Sequence, residues 1–174
     1  MHCPNFMKSL KVICEVSNKH CHLTEKTIAE SGRQFTKLKD LSQPGHWVSR
    51  EYYNDGVDDF RVIMPPRNTD QFELSLTDWI KRFGKDKEPV WKSGKEAGHV
   101  VTLRHLHLSL EQSRDLGLKD GDEVSIRKDG IRAGQLDKIL VRISPNFDFR
   151  VHLDTDEANA LYIKNGEEVE LILK

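Results

Sequence analysis

Two short segments carry imidazoles at a spacing that can bind a metal. They are Val16-Ser17-Asn18-Lys19-His20-Cys21-His22-Leu23-Thr24 and Val101-Thr102-Leu103-Arg104-His105-Leu106-His107-Leu108-Ser109. Four of the nine positions are identical and three more exchange like for like (Ser/Thr, Lys/Arg, Thr/Ser). In an extended strand alternate side chains share a face, so His20 and His22 point one way, as do His105 and His107. Residues two apart lie roughly 6.6 Å apart along a strand, near enough for two imidazoles to converge on one ion with Zn–N bonds of about 2.0–2.1 Å. A single His-x-His is most simply a polar pair bonded to backbone. A structural repeat, however, needs only its apolar positions to recur, and here the imidazoles recur in register, which points to metal.

The elements needed to place these histidines are legible on either side. Lys11 to Val16 is a β-branched, apolar run and predicts a strand leading into the first pair. Thr24 can cap a short helix over Glu25 to Glu30, ended by Gly32; Ser109 with Gln112 forms a capping box, closed by Gly117. Strand, histidines, cap, short helix and glycine therefore form one unit used twice. Between the copies, Pro44-Gly45 demands a turn, His46 reads as a solvent-exposed residue before a strand, and Asn54-Asp55-Gly56 signals a hairpin. Gln71 to Leu76 alternates, with Phe72, Leu74 and Leu76 on one face. That spacing makes Glu73 a solvent-side carboxylate. Thr77 is expected to cap a helix over Asp78 to Phe83, stopped by Gly84.

Arg67 follows Pro65-Pro66, whose stiff backbone lowers the entropy of placing a guanidinium. These residues alone allow either an anion clamp or an exposed turn arginine. Lys85 to Gly98 is the most linker-like stretch, and its lysines, Lys92 and Lys95 among them, either meet phosphates or line a solvated loop. In the last third, Leu118-Lys119-Asp120-Gly121-Asp122-Glu123-Val124 matches Ile163-Lys164-Asn165-Gly166-Glu167-Glu168-Val169, each reading as helix end, Asx-Gly turn and strand, a signature similar to that of double-psi and related β-barrels. Lys138 to Ser144 is a strong strand. Another ends at Arg150 to Asn159, where His152 and Asp154 share a face and Thr155 is expected to cap a helix.

Composition sets the bounds. The 174 residues suit one ordinary domain or two small ones, and the internal repeat favours two. With 27 basic and 28 acidic residues the net charge is −1, so charge gives no reason to expect nucleic acid or a membrane surface as partner. No apolar run reaches transmembrane length. The three cysteines (Cys3, Cys14, Cys21) are odd in number and lack a C-x-x-C pair, which fits a reduced, intracellular setting.

Taken together and in order, His20-x-His22, Leu38 to Gly45, Pro66-Arg67, Phe72 to Ser75, Arg104 to Ser109 and His152 to Asn159 resemble the phosphate propanoyltransferases, the zinc-dependent phosphotransacylases associated with propanediol-utilisation microcompartments. The resemblance runs from about Val12 to Val169. It implies a mainly β fold with short helices, built as two β-barrel domains with a metal site between them: residues 19–102 in the first barrel, and residues 8–18 with 103–174 in the second, which the N-terminal strand completes. It implies interconversion of a short-chain acyl-CoA (propanoyl or acetyl) plus phosphate with an acyl phosphate plus CoA. It also implies two zinc ions per chain, one on His105, His107 and His152 and the other on His20, His22 and Glu73, with Arg67 as the phosphate-binding catalytic residue. Lys92 and Lys95 are candidates for CoA. The resemblance further suggests a homodimer, location in the cytoplasm or a bacterial microcompartment lumen, and association with a microcompartment shell. Departures from the family pattern fall at Cys21, at the rewritten hairpin over Glu51 to Phe60 and at Ser93 to Val100. Two competing readings are a zinc hydrolase and a zinc-binding barrel that binds CoA without catalysis.

Overall fold

The computed structural model describes residues 9–92 and 97–173, and these form two compact units, one of residues 9–16 with 104–173 and the other of the described residues between 17 and 103. In chain order the elements are β1 (Ser9–Ser17), β2 (His20–His22), α1 (Glu25–Glu30), β3 (Lys37–Asp40), β4 (Trp47–Asn54), β5 (Asp59–Met64), β6 (Gln71–Leu74), α2 (Leu76–Phe83), β7 (Trp91–Lys92) and β8 (Gly98–Thr102), followed by β9 (His105–Leu108), α3 (Leu110–Leu116), β10 (Glu123–Lys128), β11 (Gly134–Ile143), β12 (Arg150–Asp154), α4 (Thr155–Leu161) and β13 (Glu168–Ile172). The fold is mainly β, and the four helices among the described residues are short. None of them is long and apolar enough to cross a membrane.

In the unit containing the C-terminal residues, the strands close into a barrel in the order β1-β12-β9-β11-β10-β13. β1 is held by antiparallel pairing with β13, Val12 opposite Val169 and Leu10 opposite Leu171. Its core gathers the inward positions of those strands, including Val12, Cys14, Leu106, Leu108, Val141, Val151, Leu153 and Val169. Each fully buried Leu or Val contributes roughly 1.5–3 kcal/mol relative to exposure. The duplicated Asx-Gly turns launch β10 and β13, which pair antiparallel, Ile126 opposite Leu171. Gly121 (φ 87°) and Gly166 (φ 84°) supply the positive φ these turns require. Gly134 serves a different need, since a Cβ there would lie 2.7 Å from Cδ2 of Leu161, so any side chain at the start of β11 would force that leucine to shift.

The other unit is a seven-stranded sheet, β3-β4-β5-β2-β6-β8-β7, with Cys21, Leu23, Phe60, Val62, Leu74, Trp79 and Val101 as its core. The Asn54-Asp55-Gly56 signal does close the β4–β5 hairpin, Asn54 opposite Asp59. Of the stretch that is linker-like in sequence, residues 85–92 lie within this unit and end in β7.

Two expected caps move. α2 is capped by Ser75, whose side chain accepts from the Asp78 N–H, and not by Thr77. α4 is capped by Asp154 in a reciprocal capping box with Glu157, and not by Thr155. In both cases the polar residue nearest the buried Leu of the strand takes the role, because the cap must still have extended backbone. Thr24 and Ser109 cap α1 and α3 as expected, the latter with Gln112.

Candidate metal centres

β2 and β9 occupy equivalent places. β2 lies between β5, parallel to it, and β6, antiparallel; β9 lies between β11, parallel, and β12, antiparallel. In each case the residue directly opposite the first histidine is a further donor: Glu73 faces His20 across β2/β6, and His152 faces His105 across β9/β12. Directly opposed residues in an antiparallel pair share a face, with Cβ atoms about 4.5–5.5 Å apart. The register therefore brings three donors together twice. His20, His22 and Glu73 place ligand atoms within 4.8 Å of one another, and so do His105, His107 and His152.

A second regularity positions all four strand ends. His22, Glu73, His107 and His152 are each followed by a buried leucine (Leu23, Leu74, Leu108, Leu153) and then by a helix cap (Thr24, Ser75, Ser109, Asp154). The leucine anchors the strand in the core and the cap ends it, so the donor two residues before the cap is held on the opposite face from that leucine.

In the sheet unit, Nε2 of His20 lies 3.3 Å from Glu73 Oε2, and Nε2 of His22 lies 3.5 Å from Glu73 Oε1. Tetrahedral bonds of about 2.0–2.1 Å put neighbouring donors roughly 3.3–3.4 Å apart, and these two nitrogen–oxygen distances are close to that spacing. His20 Nδ1 donates to the Asn18 carbonyl at 2.7 Å, so Nε2 is the nitrogen that gives a proton to Glu73 in the charged ring and offers its lone pair to a metal in the neutral one. His22 Nδ1 is buried without a hydrogen-bond partner among the described residues. The spacing of Gln71 to Leu76 had pointed Glu73 toward solvent, and the structure overturns that reading: its side chain is only 15% exposed. His20, His22 and Thr102, reaching from the strands on either side of β6, lie against the Glu73 carboxylate and cover it. Burial opposes ionisation of Glu73, but the two imidazoles outweigh it and hold its pKa well below the ordinary value. Burial likewise disfavours protonated His20, yet the Glu73 carboxylate keeps its pKa raised. His22, governed by burial, falls to about 4.

The barrel set contains no carboxylate. His105 and His152 stack with ring centroids 4.9 Å apart, and His107 lies 4.2 Å from His152. Burial, then the charges of His152, His105 and Arg142, push His107 far below the ordinary imidazole pKa, and its Nε2 has no hydrogen-bond partner among the described residues. Phe147 lies flat on the His107 ring at 3.7 Å, and the Arg142 guanidinium lies over the Phe147 ring, 6.0 Å from its centroid. Imidazole nitrogens, joined in one set by a carboxylate kept ionised, are donor types suited to zinc.

Arg67 belongs to the sheet unit. Its backbone N–H donates to the Leu23 carbonyl and its Nη1 donates to Gln71 Oε1 at 2.7 Å; its charge lowers the proton affinity of both His20 and His22. His46 stands apart from both clusters, with Nδ1 3.1 Å from the Pro44 carbonyl. Lys92 ends β7, and Lys95 lies outside the described residues. Cys21 is buried in the core, and burial, followed by Asp70 and Asp55, pushes its thiol pKa up. Sequence reasoning missed Thr102, whose hydroxyl bonds Glu73, and Phe147. The Ser/Thr exchange between the repeats was the available signal for the first.

The sequence matches the pattern of one family, described as phosphate propanoyltransferase, over residues 13–100 and 94–164. The chain is 35% identical to the phosphate propanoyltransferase of Enterococcus faecalis, covering 87% of this chain and 83% of that protein. It is 32% identical to that of Priestia megaterium (87% and 81%) and 31% identical to that of Thermotoga maritima (92% and 89%). The chain belongs to the phosphate propanoyltransferase family, a family of acyl-transferring enzymes.

Proposed function

We propose that the protein is a zinc-dependent phosphate acyltransferase, interconverting a short-chain acyl-CoA plus phosphate with an acyl phosphate plus CoA. In that direction the bond between acyl carbon and CoA sulfur breaks and a phosphate oxygen takes the sulfur's place. The sulfur leaves with the bonding pair and takes a proton. His20, His22 and Glu73 hold one zinc and His105, His107 and His152 the second. Bound zinc supplies Lewis-acid polarisation of the acyl carbonyl and stabilises thiolate charge. The observation that carries this reading is the duplicated donor geometry, three ligand atoms within 4.8 Å at equivalent register positions, in a chain of this family. Three protein donors are what catalytic zinc sites use, the fourth position being left to water or substrate.

Arg67 binds phosphate in this account. A guanidinium stays charged at any working pH and offers a planar fork that a lysine lacks. Gln71 anchors one arm, and the backbone bond to Leu23 ties Arg67 to the residue after His22. An anion on Arg67 is thus held within electrostatic reach of His20 and His22. Lys92 and Lys95 are the candidates for the CoA phosphates.

The test is release of CoA from acetyl-, propanoyl- and butanoyl-CoA, with and without phosphate and with and without a chelator. The expected result is phosphate-dependent release that a chelator abolishes and added zinc restores. Release that ignores phosphate would identify a hydrolase instead, and zinc and CoA binding without any release would identify a non-catalytic barrel.

A further inference from the structure

We propose that Thr102 is a positioning residue for the His20–His22–Glu73 centre, its hydroxyl fixing the Glu73 carboxylate so that the metal on that centre, and not the one on the three histidines, depends on it. The inference rests on the reading of that cluster as a zinc site. Thr102 ends β8, which runs parallel to β6 with Val100 beside Glu73, and residues two apart on a strand share a face. The register thus presents Thr102 on the side of the sheet where the carboxylate lies. The contact is short: Thr102 Oγ1 is 2.7 Å from Glu73 Oε2. An ionised carboxylate only accepts, so the hydroxyl must donate, and hydrogen bonds to a charged acceptor are about twice as strong as neutral ones.

Glu73 is a ligand on a side chain with three rotatable bonds, whereas the imidazoles are stiffer. Without an external bond its carboxylate plane can turn about the last of these. Its Oε1 faces His22 and its Oε2 faces His20, so a turned carboxylate loses both spacings at once. The Thr102 hydroxyl holds Oε2, and His20 is held in the same manner by the Asn18 carbonyl. Partners of this kind orient ligands and set metal affinity.

The repeat gives independent support. Thr102 corresponds to Ser17, three residues before the first histidine in each copy, and Ser17 ends β1, which borders the His152 strand in the barrel. A structural repeat has no need to keep a hydroxyl there, yet one is kept in register with the imidazoles.

The experiment is chelator competition on zinc-loaded wild type, Thr102→Val, which keeps the shape and removes the donor, and Thr102→Ser, which restores it. Thr102→Val is expected to give up one of its two zinc ions about 10- to 100-fold more readily, the range typical for loss of a partner to a metal ligand. The other zinc should be released as in the wild type, and Thr102→Ser should behave like the wild type throughout. The retained zinc reports that the variant is folded. A Thr102→Val release curve that superimposes on a two-zinc wild-type curve overturns the inference while leaving the site intact. Equal weakening of both zinc ions makes Thr102 a folding residue and overturns it too. Wild type that takes up no zinc overturns the site reading itself, and this inference with it.

Discussion

The two donor sets share one strand plan and differ at a single ligand. Opposite the first histidine, the sheet unit has Glu73 and the barrel has His152. With a carboxylate present, a proton can take the place of a metal: His20 has its pKa raised by Glu73, and the pair is mutually satisfied as an ion pair. The barrel set has a third imidazole in the carboxylate's place, and there burial, His152, His105 and Arg142 hold His107 far below the ordinary pKa, leaving a neutral ring that suits a cation. One difference of donor type thus separates a set that can close on a proton from one in which His107 stays unprotonated.

The largest effect expected is on activity. Removing metal from both sets should abolish phosphate-dependent CoA release, and zinc alone should restore it. If activity survives full demetallation, neither set is catalytic and the comparison loses its functional meaning. Next is Arg67→Lys, which keeps charge but loses the fork. It is expected to cost about 2–4 kcal/mol of transition-state stabilisation, roughly 30- to 1000-fold in rate, with zinc content unchanged. Near wild-type turnover at subsaturating phosphate would return Arg67 to the role of an ordinary turn residue.

Stability sharpens the comparison between the sets. His105→Ala should destabilise the protein more than Glu73→Ala, by about 2 kcal/mol, or roughly 4–8 °C in Tm, because metal coupled to packing is folding energy. Equal shifts in thermal melting would show that the two sets bear on folding alike.

The smallest effect is a pH dependence confined to the barrel. Glu157 is pushed up to about 7, first by burial and then by the Asp154 carboxylate, against the opposing Arg104 guanidinium 3.0 Å away. Unfolded, it titrates near 4.3. The folded state therefore binds more protons between these values, and the stability Glu157 contributes is complete below about 4.3 and lost as pH rises through about 7. Glu157→Gln stays uncharged, so its Tm relative to the wild type should rise between pH 4 and pH 8, by an equivalent of about 3 kcal/mol at most. A difference that stays constant across that range would show that Glu157 titrates normally.

Much of this architecture was legible in the residues, and the exceptions share a cause. The repeated His-x-His strands, the caps at Thr24 and Ser109, the Asn54-Asp55-Gly56 hairpin and the paired Asx-Gly turns are local patterns, settled within a few residues, and the structure has each of them. Glu73 shows the limit. Alternation along Gln71 to Leu76 separates two faces but does not say how many are covered, and it is the side chains of His20, His22, Thr102 and Arg67, brought in by long-range register and loop placement, that lie over Glu73 and Gln71. His152 was readable as sharing a face with Asp154, but its position opposite His105 depends on long-range register. Sequence did carry one further clue, the donor–leucine–cap order at His22, Glu73, His107 and His152, which marks all four strand ends. Thr102 and Phe147 reach their partners across strands, so only the fold reveals them.

The most direct test of the central claim is zinc stoichiometry in folded protein that has never met a chelator, measured for the wild type, Glu73→Ala and His107→Ala. Two zinc ions per wild-type chain and one in each variant is the predicted result, each substitution emptying its own set. A wild type with no zinc, or a single zinc that neither substitution removes, would contradict it.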